Sequence, residues 1–143
     1  MTARAYADLG DIDTALDVYR KHIEAGDYQL RFAFANFLDR HRRYDEALQV
    51  LDEYEPGAPS GTVAALRGSI LLGLERGEEA DESFRHAKNE IGRPRTATAT
   101  ERSWLAYVAK QLGDIDLLRD VEAVEKTSER VDAGALPELM TGK

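Results

Sequence analysis

The chain has 143 residues and no cysteine. That absence excludes disulfide staples, thiolate zinc sites and cysteine nucleophiles together, and it suits a reducing compartment. No apolar run approaches the roughly 20 residues that a membrane-spanning helix needs. Residues 1–8 carry no signal-peptide apolar core, so a cytoplasmic location is the default expectation. There is no glycine-rich phosphate loop, no G-x-S-x-G elbow and no H-E-x-x-H pair. The histidines, His22, His41 and His86, lie far apart, none with a second ligand at metal spacing. Acidic residues are plentiful, as in Glu75, Glu78, Glu79, Asp81 and Glu82, but no two are singled out as an acid–base pair. No cofactor, no metal and no enzymatic activity are expected.

Positive charge is also in short supply. Aspartate and glutamate number 27 against 19 lysines and arginines, a net charge of −8. Nucleic-acid binders draw much of their affinity from cations that displace phosphate counterions, so that class is disfavoured. Hydrophobic residues make up 43% of the chain, ordinary for a folded domain with one core.

What is present is an internal repeat. Leu9-Gly10-Asp11-Ile12-Asp13 returns unchanged as Leu112-Gly113-Asp114-Ile115-Asp116. The separation is close to three units of about 34 residues, so two intermediate copies are expected. Degraded copies stand at Arg42-Arg43-Tyr44-Asp45-Glu46-Ala47 and Arg76-Gly77-Glu78-Glu79-Ala80. A small residue followed four later by a large one recurs as Ala15 with Tyr19, Ala47 with Leu51 and Ala80 with Phe84. The fourth unit departs from this, with Leu118 and Glu122. On the preceding helices a small residue stands three before a large one in Ala3 with Tyr6, Ala35 with Leu38 and Gly68 with Leu71. Ala106 with Ala109 fits half way. Small residues let two helices approach closely, and the large neighbour fills the space beside the contact.

These spacings resemble the tetratricopeptide-repeat (TPR) family. The resemblance covers nearly the whole chain and implies an all-α fold, a right-handed superhelix of about eight helices. Its repeat domain spans 1–131, in units of about 1–27, 28–59, 60–93 and 97–131, followed by a tail at 132–143. The helices are expected near 2–9, 12–25, 27–41, 44–54, 62–75, 78–91, 98–112 and 115–131. The breaks between them fall at glycine and proline. Gly10 can end a helix in the left-handed region, Asp11 can cap the next, and Thr98 with Glu101 has capping-box spacing. Pro56, Pro59 and Pro94 mark the longer interruptions.

The resemblance also implies a function, binding a partner peptide or helix in a concave groove lined by the first helix of each hairpin. The groove residues expected on that basis are Arg4, Phe32, Asn36, Arg40, Leu66, Ser69, Trp104 and Tyr107. Some TPR domains hold a C-terminal carboxylate with a ring of lysine, arginine and asparagine. Asn36 matches one such slot and Arg67 lies near another, but Phe32 stands where a cation would be needed, so that clamp is not expected. The alternative reading is a self-associating module using the exposed ends of the repeat array.

Overall fold

The structure is a computed structural model that describes residues 2–4, 10–26, 30–53 and 60–127. Among these residues the regular elements are all helices and there is no strand. They are α1 (Ile12–Glu24), α2 (Leu30–Arg40), α3 (Tyr44–Glu53), α4 (Ser60–Gly73), α5 (Gly77–Ile91), α6 (Ala99–Leu112) and α7 over 115–127. Ala3 and Arg4 are helical. The rest of the expected first helix, the opening of the third at Asp27, the break at Pro56 to Pro59 and the tail lie outside the described residues. No described helix is long and apolar enough to cross a membrane.

The turns explain where the helices stop. Positive φ occurs at Gly10, Arg42, Glu75 and Gly113, spaced like the four repeat copies, and also at Gly26 and Gly92, after α1 and α5. After α2, the Arg42 amide donates to Asp39 O and the Arg43 amide to Leu38 O, at 3.1 and 2.8 Å. After α4, Glu75 donates to Leu72 O and Arg76 to Leu71 O, at 3.0 and 2.9 Å. After α6, Gly113 donates to Lys110 O and Asp114 to Ala109 O, at 3.3 and 2.9 Å. This paired pattern satisfies carbonyls that a helix end leaves open.

The next helix begins at once, and aspartate starts it in both exact copies. Asp11 Oδ1 accepts from the Thr14 amide at 3.1 Å. Asp114 Oδ1 accepts from the Leu117 amide at 3.1 Å. The capping box at Thr98 and Glu101 is complete, with both reciprocal bonds made.

Packing divides the chain into two compact units. The first comprises Met1–Pro59 and Leu66–Ala80. In it α1 packs on α2, and α2 packs on α3. Ala15, Ala35 and Ala47 are fully buried, as are Leu38 and Leu51 within a percent. Each buried leucine contributes roughly 1.5–3 kcal/mol of transfer free energy. Gly73 lies directly against the Tyr44 ring, which a Cβ would strike.

The second unit comprises Ser60–Ala65 and Asp81–Lys143. Its core gathers Ile91, Ala97, Leu105, Ala109, Leu117 and Val121. Gly61 is packed so tightly on α5 that a Cβ would come within 2.6 Å of Ile91 Cγ1. The irregularity of the fourth unit is resolved here. The pair that α7 buries is Leu117 with Val121, one residue before Leu118 and Glu122. Two larger side chains, one position earlier in the repeat, are buried here in place of a small-then-large pair.

Candidate binding site

The first unit holds an open cavity of about 430 Å³ lined by Arg4, Tyr19, Ala33, Asn36, Phe37, Arg40 and His41. The α2 contribution is a single stripe: 33, 36, 37 and 40 stand at the three- and four-residue steps that share a helix face. Phe34, Ala35 and Leu38 take the buried side. Burying that side leaves Asn36 and Arg40 at the cavity with Arg4 and Tyr19, while Phe37 is itself mostly buried.

Aromatic rings form one wall. Tyr19 stacks on Phe34 with centroids 5.3 Å apart and planes at 17°. It meets Phe37 at the same distance with a tilt of 50°. Phe37 in turn meets the His41 ring at 4.3 Å. The rings pack on one another, and Tyr19 lines the cavity. Burial pushes the Tyr19 hydroxyl above its ordinary titration range, while the positive charges of Arg4 and Arg40 pull it back. Both guanidiniums are therefore close enough to Tyr19 to be felt electrostatically.

Beside Arg40, the half-buried Asp39 turns to α4 and accepts a hydrogen bond from Ser69 Oγ at 2.7 Å. Burial raises its carboxyl above the usual range, opposed by the Ser69 hydroxyl and by the Arg40 charge.

The expected groove residues separate into distinct groups. Arg4, Asn36 and Arg40 come together in this cavity. Phe32 is half-buried on α2. Ser69 is tied to Asp39. Leu66 differs from expectation: it is fully buried, a packing residue rather than a groove wall. The cause is α4 itself, whose sequence is apolar round most of its circumference; Ser60 and Leu72 are its exposed residues. Arg67 is paired with Asp52 at 2.6 Å.

In the second unit, Trp104 packs against the Ile91–Val121 core. Tyr107 meets Phe84 at 5.7 Å and Trp104 at 6.2 Å. Both rings are half-buried and engaged in that unit's own packing.

Tyr19, Phe37 and His41 line the cavity but were not among the expected site residues. Tyr19 reads as the large partner of Ala15, which hides its hydroxyl from sequence reasoning. His41 reads as an isolated histidine next to Arg40 in sequence, and only the fold brings it to the same cavity as Tyr19. Two further cavities are present, each within one unit. One of about 380 Å³ lies among α1, α2 and α3, where Arg20 pairs with Glu46 at 3.2 Å and Arg31 donates to Glu53 O at 2.8 Å. The other, of about 610 Å³, lies between Arg93-Pro94-Arg95 and α7. Among the described residues no group of three or more histidine, aspartate or glutamate side chains is placed to hold a metal ion. No protein-family model matches the chain, and no curated protein matches it.

Proposed function

We propose that this chain is a non-catalytic protein-binding module, a TPR-like superhelical stack of about eight helices that takes a partner peptide or helix along the first helices of its hairpins. One observation carries the reading: Arg4, Asn36 and Arg40, all expected to line such a groove, share one open cavity. The spacing of the left-handed turns, at Gly10, Arg42, Glu75 and Gly113, supports the stacked-hairpin architecture. Aromatic and arginine side chains are common energetic anchors of interfaces, and Tyr19 and Arg40 are of that kind.

The test is capture from an extract of the native host on immobilised chain, read by mass spectrometry. The expected result is a partner retained by the unaltered chain and lost on Asn36→Ala or Arg40→Ala. Glu82→Ala, an exposed change on α5, should retain it. A partner held equally by all variants would move the interface away from this face. The alternative, self-association, has one side chain in its favour: Ile115 is 64% exposed, unusual for a large apolar residue. A concentration-independent monomer mass by light scattering would remove that alternative.

A further inference from the structure

We infer that the cavity formed by α1, α2 and Arg4 is a seat for a phosphate monoester carried on a polypeptide partner. The inference rests on the protein-binding reading and gives the partner a chemistry.

The arginines supply the first argument. In the same unit Arg20, Arg43, Arg67 and Arg76 each lie within 3.8 Å of a carboxylate, while Arg42 stands exposed in the turn after α2, outside the lining of this cavity. Arg4 and Arg40 line the cavity, and neither forms an ion pair among the described residues. The adjacent Asp39 accepts from Ser69 and feels the Arg40 charge without closing an ion pair with it. In a chain of net charge −8, two arginines without an ion pair among the described residues make this cavity locally positive, with only the Asp39 charge beside Arg40 offsetting it. Beyond about 8–10 Å that field is screened at ordinary salt, so the local sign governs a ligand once it arrives.

The second argument is convergence. Both guanidiniums act on the Tyr19 hydroxyl, so the space in front of it feels two positive charges. Asn36 and His41 line the same space and offer further donors. A carboxylate brings one charge and two oxygens, which one guanidinium fork satisfies. A phosphate monoester brings about −1.5 to −2 charges and three acceptor oxygens at neutral pH, enough for both forks and the phenol. Ala33 and Phe37 supply an apolar floor for the carrier chain.

The test uses the full chain and three end-blocked pentapeptides of one sequence, with phosphoserine, glutamate or serine at the centre. Blocking the ends removes any contribution from a terminal carboxylate. Binding is followed by fluorescence polarisation at fixed salt. The phosphoserine peptide should bind at least about fivefold tighter than the glutamate peptide, as a second charge-assisted bond implies. Arg4→Gln and Arg40→Gln should each weaken it about tenfold. Tyr19→Phe keeps the ring stack and should weaken it about threefold. Both arginines are exposed, so unchanged melting temperatures will show that these variants fold.

Four results would overturn the inference: no binding of the phosphoserine peptide, equal binding of the glutamate peptide, tight binding untouched by either arginine change, or preference for a single-stranded oligonucleotide over the peptide. The protein-binding reading is judged separately. It stands if partner capture is still lost on Asn36→Ala while the phosphopeptide fails. It falls if capture ignores this face even though the phosphopeptide binds.

Discussion

Ser69 Oγ donates to Asp39 Oδ2 across 2.7 Å, joining α4 to α2 beside the cationic cavity. The bond holds a half-buried carboxyl whose titration burial has raised. A raised folded value means that ionisation costs stability at neutral pH. The cost is relieved as pH falls through the folded value toward the ordinary 3.8. Ser69→Ala removes the donor that favours the ionised form, so it should destabilise the fold by about 1 kcal/mol near neutral pH. That deficit should shrink on acidification toward about pH 4. Urea denaturation at the two pH values checks it, and a deficit that grows in acid would contradict this account.

Lys88 and Asp114 behave in the opposite sense. Lys88 Nζ donates to Asp114 Oδ2 at 2.6 Å, and the Leu117 amide donates to the other oxygen. The Lys88 bond is the main reason that the Asp114 carboxyl titrates below its ordinary range. A lowered folded value adds stability above the unfolded value of 3.8, lost as pH falls through the folded one. Lys88→Met should therefore lower the melting temperature at neutral pH, with the difference from the unaltered chain closing in acid. A difference independent of pH would assign the effect to packing instead.

The left-handed turn residues give a matched pair of backbone tests. A Cβ at Gly113 would meet nothing within 4 Å, so Gly113→Ala carries only the cost of holding alanine at φ 68°. That cost is about 1–2 kcal/mol. Glu75 already sits at φ 61°. Glu75→Gly relieves the strain but frees the unfolded chain, so the net gain should be about 0.5–1 kcal/mol. Thermal melts that move both variants in one direction would show that these turns are not the controlling feature.

Ala47 is fully buried in the first unit, and it faces the close approach of two helices. Ala47→Leu inserts volume that has nowhere to go, and overpacking of this kind costs roughly 1–3 kcal/mol. Ala47→Ser, nearly isosteric, separates volume from polarity, since it adds a hydroxyl without bulk. Chemical denaturation of both variants gives the comparison, and a harmless leucine would disprove the tight contact.

The sequence by itself determined the helical class, the positions of the turns and the caps. These are local matters. A left-handed glycine at 10 or 113, an aspartate one residue on, and threonine three before glutamate act within a single turn of backbone. They read the same in isolation as in the fold. The small residues at 15, 35 and 47 were also legible, because the spacing to their large neighbours places each on the apolar face of its own helix.

Tertiary structure decided the rest. Leu66 carries the spacing of a groove residue, yet α4 is apolar almost all round and its neighbours cover it. The last helix buries Leu117 and Val121 in the second unit's core rather than the pair that repeat spacing selects. The meeting of Arg4, Tyr19, Asn36, Arg40 and His41 in one cavity depends on how α1 packs against α2. No local signal encodes that: charges distant in sequence become neighbours only when burial of the apolar faces brings their helices together.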